Sequence, residues 1–225
     1  MKDINIIKAI ILTILYVLFI ELIGCSFFIT EYFGMEDNPN YQYLIAGLIE
    51  FPLLFLFIKK IKTSERKLPQ QTNKKWYVIA ASLGLTYVFI QTPLNLLYNL
   101  ISGDNYHIKY AFDGLIKFTK LSGLNYISGI ILIPICEELF FREYLQQSLQ
   151  KKINSIYAIV IISILFALIH LPYEMLFLSI IHKTPHTAFI ALFGGLITGT
   201  LYYKSKSIGP SIVMHICWNL MVIIT

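Results

Sequence analysis

Charge is what this sequence has least of. Only 14% of its 225 residues are Asp, Glu, Lys or Arg, whereas 56% are hydrophobic; ordinary soluble domains carry about 25% charged residues. Mean hydropathy is +0.67. That balance excludes a water-soluble globule and a disordered chain, both of which need far more polar surface. Cysteine is scarce as well. Cys25, Cys136 and Cys217 all lie in apolar stretches, which excludes a disulfide-built secreted scaffold. Internal repeats and low-complexity tracts are absent, as are His-Glu-x-x-His, Gly-x-Gly-Asp and Gly-x-Ser-x-Gly. The formal charge of +5 does not point to nucleic acid, because a basic patch needs a soluble face to sit on.

What is present is long apolar runs. A spanning helix takes about 20 mostly apolar residues. Seven stretches qualify: Ile4 to Thr30, Tyr41 to Ile58, Trp76 to Ile101, Leu121 to about Gln147, Ser155 to Leu171, Thr187 to Tyr203, and Ile208 to Thr225. The expected fold is an all-α polytopic transmembrane bundle of about seven spans, one integral membrane domain over residues 1–225, with any active site buried in the membrane. Leu22-Ile23-Gly24-Cys25 looks like a lipoprotein cleavage box. Glu21 interrupts its apolar region and Phe27-Phe28-Ile29 follows it, so the segment reads as an uncleaved first span.

Basic residues fall on alternate loops. Lys2 and Lys8, the run from Lys59 to Lys75, Lys151 with Lys152, and Lys204 with Lys206 all mark one side. By the rule that Lys and Arg stay cytoplasmic, the N-terminus is expected inside. A site opening to the cytoplasm is expected too. The segment Gly103 to Lys120 could hide an interfacial or re-entrant helix. An Ile-, Lys- and Asn-rich composition suits an AT-rich bacterial genome, and the expected location is the plasma membrane.

Ionisable groups inside a span are costly and mark either function or pairing within the bundle. Glu21 and Glu50 stand alone and read as interhelical hydrogen bonds or protonated carboxyls. The fourth span carries more, in Cys136-Glu137-Glu138-Leu139-Phe140-Phe141-Arg142. Glu138 and Arg142 are four apart and can pair on one face. Glu137 is turned about 100° away, free to face a cavity. Phe166-x-x-x-His170 closes the fifth span. His215-x-x-x-Asn219, in the seventh, puts an imidazole and an amide on one face. Glu137 lies about 20 Å from Lys151 along its helix and His170 about 22 Å from Ser155. His215 and Asn219 lie about 10 and 16 Å in from Ile208. These depths overlap near the centre of a bilayer about 30 Å thick.

Such a set suits hydrolysis of an amide, which needs activated water, a base, an oxyanion donor and a proton for the leaving amine. Two versions stay open. In one, Glu137 with His170 activates water while His215 and Asn219 bind the oxyanion. In the other, His170, His215 and Glu137 hold a divalent metal such as zinc, which lowers the pKa of bound water to about 7. Cys136 as a thiol nucleophile is a lesser option, since apolar surroundings keep a thiol protonated. His182 and His186 are also four apart, but Pro185 disfavours the helix that would align them, and the segment reads as an outer loop.

In order and spacing, Glu137-Glu138-x-x-x-Arg142, Phe166-x-x-x-His170 and His215-x-x-x-Asn219 resemble the CPBP family. That family comprises the CAAX prenyl endopeptidases of the Rce1 type and the bacterial Abi proteins of bacteriocin processing and self-immunity. The motifs lie within residues 134–225; residues 1–120 carry no signature. The resemblance implies an intramembrane endopeptidase, glutamate- or metal-dependent, acting on a membrane-associated peptide or protein. It implies Glu137 as base, His170 as its partner or a ligand, His215 and Asn219 as oxyanion or ligand groups, and Glu138 with Arg142 as the supporting pair. Gly194, Gly195 and Gly199 resemble the family's small-residue stretch, and physically they allow close helix packing. Expected partners are the bilayer and the peptide substrate, with no nucleic acid. A non-catalytic membrane scaffold or immunity protein, acting by contact, is the alternative from another class. A small transporter is a third, but no inverted repeats are visible.

Overall fold

The structure, a computed structural model, describes residues 4–32, 48–54, 56, 72–103, 127–171 and 185–224, with side chains of 21–32 and 223–224 outside the described set. These residues are helical throughout, with no strand among them. In chain order they form α1 (Ile6–Tyr32), a helical stretch at 48–54, α2 (Lys74–Ser102), α3 (residues 128–150), α4 (Ser155–Leu168), α5 (His186–Ser205) and α6 (Ile208–Ile224). Glu21 falls in α1, but its side chain, like Cys25 and most of the segment from Gly103 to Lys120, lies outside the described residues.

Local chemistry sets the helix ends. Asn73 caps α2, its Oδ1 accepting from the Lys75 amide at 2.9 Å, and Gly103 closes it at φ 74°. Asn154 caps α4 in the same way through the Ile156 amide, at 2.8 Å. A short polar side chain satisfies a first-turn donor, and a left-handed residue ends the helix without strain when it is glycine.

The helices differ from the sequence expectation in one respect. Among the described residues α2 is the helix long and apolar enough to cross a membrane. Ile6–Ile20, Ser155–Leu168 and Ile208–Val222 are apolar but shorter. α4, at 14 residues, reaches about 21 Å, because its regular winding stops two residues before His170.

Packing follows the apolar pattern. One cluster joins Ala9 and Tyr16 of α1 to Phe140, Phe141 and Leu145 of α3 and to Ile162, Leu165 and Phe166 of α4. A second joins Ala80 and Tyr87 of α2, Ile190 and Leu201 of α5, and Met214 and Trp218 of α6. Outside these clusters the helices expose apolar side chains, such as Ile7, Ile11, Ile14 and Leu18 on α1 and Val78, Phe89 and Leu100 on α2. Contiguous apolar surface of this kind belongs against another apolar phase.

Two contacts fix the direction of the bundle. Tyr77, at the start of α2, lies against Gly209 at the start of α6. Gln146, near the end of α3, donates through Nε2 to the Gly199 carbonyl near the end of α5, 2.9 Å away. Lys74 and Lys75, Lys151 and Lys152, and Lys204 and Lys206 therefore gather at one end. Aromatic rings accompany them, Lys206 Nζ sitting 4.0 Å from the Tyr203 ring centre.

Candidate active site

α3 is not a plain α-helix. Ser128–Leu132 and Leu139–Gln146 are wound as π-helix, flanking the α-helical Ile133–Glu138 that carries both carboxylates. π-turns inside helices occur mostly as single bulges and often at functional sites. Pro134 accounts for part of the first. The Ile133 amide bonds the Ser128 carbonyl, five residues back. The next donor in that register would be Pro134, which has no N–H to give Gly129. Asn219 fills the gap: its Nδ2 donates to the Gly129 carbonyl at 2.9 Å.

Glu138 is wholly buried between two partners. Its Oε2 accepts from Arg142 Nε at 3.3 Å, and its Oε1 accepts from His215 Nδ1 at 3.1 Å. Arg142 is equally buried and lays its guanidinium 5.1 Å from the Phe166 ring centre. Its two terminal nitrogens have no hydrogen-bond partner among the described residues; the ring face and Glu138 balance the charge instead. Glu138 thus fixes the plane of the His215 ring and holds the hydrogen on its Nδ1, as a carboxylate does for the histidine of a hydrolytic triad.

Glu137 points elsewhere. Its Oε2 is 3.7 Å from His215 Nε2, and it lines a cavity of about 450 Å³ with His170, His215 and Asn219. His170 donates from Nδ1 to the Phe166 carbonyl at 2.9 Å. Its Nε2 then carries the lone pair. Phe166 is the hub of the arrangement, its ring 4.8 Å from that of His170 and 5.7 Å from that of His215. Trp218 stacks on the other side of His215, at 5.3 Å and 26°.

The six residues singled out from sequence therefore converge on one cavity and its immediate support. Glu137, His170, His215 and Asn219 line it; Glu138 and Arg142 stand behind. Three features were not legible. Glu138 grips His215 as well as Arg142. Asn219 spends one amide hydrogen on Gly129. His186, expected in an outer loop, opens α5 with Pro185 before it and donates from Nε2 to Asn95 Oδ1 at 2.7 Å. His186, Asn95 and Gln91 line the same cavity. The signal that could have found them is the row Gln91, Asn95, Asn99, one turn apart in an apolar helix.

Among the described residues no three His, Cys, Asp or Glu side chains are placed to hold one metal ion. The cavity also draws on the second half of α2, the first turns of α3 and α5 and the last turns of α6. That is the half of the bundle away from the lysines. Glu50 makes the interhelical hydrogen bond foreseen for it, accepting from Tyr16 of α1.

Residues 120–221 match the family model described as type II CAAX prenyl endopeptidase Rce1-like. This stretch is similar to Rce1-like domains. No curated protein and no solved structure matches the chain. The matched stretch contains every motif residue, from Glu137 to Asn219, and the family it resembles consists of membrane proteins with protease activity of the CAAX type. α1 and α2 lie wholly outside the match, although Gln91 and Asn95 of α2 contribute to the cavity.

Proposed function

We propose that this chain is a multi-span intramembrane endopeptidase in which Glu137 activates water against a peptide bond held in the cavity. The observation that carries the reading is the division of labour between adjacent carboxylates. Glu138 is tied up by Arg142 and His215, while Glu137 lines the cavity beside His170.

The chemistry follows from those roles. Water hydrogen-bonded to Glu137 and to the lone pair on His170 Nε2 gives its proton to Glu137 as it attacks the carbonyl carbon. The oxyanion receives a hydrogen bond from protonated His215 Nε2, whose other nitrogen stays on Glu138, and one from the remaining amide hydrogen of Asn219. Glu137 then passes its proton to the leaving nitrogen and the C–N bond breaks.

Topology completes the proposal. Lysines with adjacent Tyr and Trp at one end of the bundle suit a cytoplasmic interface. The substrate then reaches the site from the extracytoplasmic half, as an exported peptide or the outer segment of a membrane protein. Maturation of a secreted peptide, with self-immunity as its counterpart, fits that placement.

The test is neo-N-terminal peptide profiling of cells carrying wild type or Glu137→Gln at matched membrane levels. A terminus lost with the variant and regained with wild type supports the reading. Identical profiles with an intact phenotype would replace it with a protein acting by contact.

A further inference from the structure

One wall of the cavity has no part in the reaction proposed above. It comes from α2 and the first turn of α5, and consists of Gln91, Asn95, His186 and Thr187. Carboxamides in a membrane helix are costly unless they are partnered or used. Asn95 Oδ1 is partnered by the His186 Nε2 hydrogen, at 2.7 Å. Tyr98 holds the edge of the His186 ring, 5.2 Å away. The hydrogen bond fixes which way the Asn95 amide faces and leaves its Nδ2 hydrogens as donors. Gln91 makes no hydrogen bond among the described residues, so its whole amide is available.

Spacing suggests what these groups bind. Residues four apart on an α-helix share a face and are separated by about 6 Å along the axis. In an extended peptide, amides that point the same way recur every two residues, about 6.6–6.8 Å apart. A carboxamide offers a donor and an acceptor side by side, as a peptide group does. A carboxylate ligand would want a cation, and the His186 donor on this wall is already spent on Asn95.

We propose that Gln91 and Asn95 bind alternate main-chain amides of an extended substrate, with His186 as the positioning residue that orients Asn95. This rests on the endopeptidase reading above, and it supplies what that reading lacks: a way to hold a peptide of variable side chains in register with Glu137. Recognition is of backbone, so selectivity among side chains is weak along this wall.

The test uses the full chain in lipid nanodiscs and the best-cleaved member of a library of internally quenched decapeptides. Asn95→Ala is expected to raise KM about tenfold with kcat within about twofold of wild type, the size of one lost hydrogen bond. His186→Ala raises KM less, and His186→Gln, which keeps a donor, restores it. A series of peptides N-methylated at single positions separates positioning from mere structure. One methylation, removing the N–H that Gln91 Oε1 accepts, should weaken binding to Glu137→Gln about tenfold and have no further effect once Gln91→Ala is added. Unchanged KM in both Gln91→Ala and Asn95→Ala, or N-methyl effects untouched by either, would overturn the wall while leaving the peptidase standing. A wild type that cleaves no peptide in the library, and a Glu137→Gln that binds none, would overturn both.

Discussion

The side-chain amide of Asn219 donates to the main-chain carbonyl of Gly129 across 2.9 Å. Two helices are joined there by one hydrogen bond, at a point where Pro134 leaves the carbonyl without a donor of its own helix. Asn219→Ala should therefore cost about 0.6–2 kcal/mol, the range for interhelical hydrogen bonds in membranes. Pro134→Ala restores an N–H to α3, and in that background the Asn219→Ala penalty should shrink. Thermal unfolding in detergent of the two single variants and the double variant measures the coupling; strict additivity would show that the two sites act independently.

Adjacent carboxylates should respond differently to the same change. Glu138→Gln leaves Arg142 buried without its counter-charge and a single acceptor oxygen where Arg142 and His215 now each have one. Stability should fall by about 3–5 kcal/mol, and kcat by at least about a hundredfold. Glu137→Gln should abolish activity but leave the unfolding midpoint unchanged or higher, because it removes a buried charge that has no close cationic partner other than His215. Parallel activity and melting measurements on the two variants decide the assignment.

Glycines in and near the site also separate cleanly. A Cβ on Gly195 would stand 3.2 Å from both Phe166 and Ser163 and 3.3 Å from Arg142 Nη2. Gly195→Ala should cost about 1–3 kcal/mol by overpacking and lower kcat, since it pushes on the ring that backs both histidines. A Cβ on Gly129 meets nothing within 4 Å. Gly129→Ala should be neutral or slightly stabilising, as helix propensity alone favours it. Equal effects at both positions would contradict this packing.

Proton transfer without a metal makes a further prediction. Peptide cleavage by purified protein should persist after prolonged treatment with excess chelator, while His170→Ala should lower kcat by about 10²–10⁴. Activity lost on chelation and regained on adding back zinc would show that His170, His215 and Glu137 draw together around an ion during turnover.

How much of this could be read from the sequence depends on the range of the interaction. Helices and their order follow from apolar runs, and the Glu138–Arg142 pair follows from a spacing of four. The second partner of Glu138 does not, because His215 is 77 positions away and only packing brings it near. His186 was hidden by Pro185. A proline inside a helix is disruptive, yet the same residue is well suited to begin one, and sequence alone did not say which applied. Asn219 looked like a free oxyanion donor because nothing local revealed the π-winding that leaves Gly129 in need. The end of the bundle at which the cavity sits emerged only when Tyr77 was found beside Gly209.

That winding has a consequence for how α3 tolerates changes in length. A turn closed by bonds five residues apart holds one residue more than an α-helical turn between the same neighbours. Taking a single residue out of Leu139–Gln146 could let the stretch relax into ordinary α-helix, so the backbone would survive. Side chains beyond the deletion would keep nearly their former direction, because the wide turn is what absorbs the extra residue. Were it made ahead of Arg142, the guanidinium would stand three residues from Glu138 and still share its face. A one-residue deletion in the π-wound stretch should thus be borne better than one in a regular part of α3, where everything beyond it turns by about 100°.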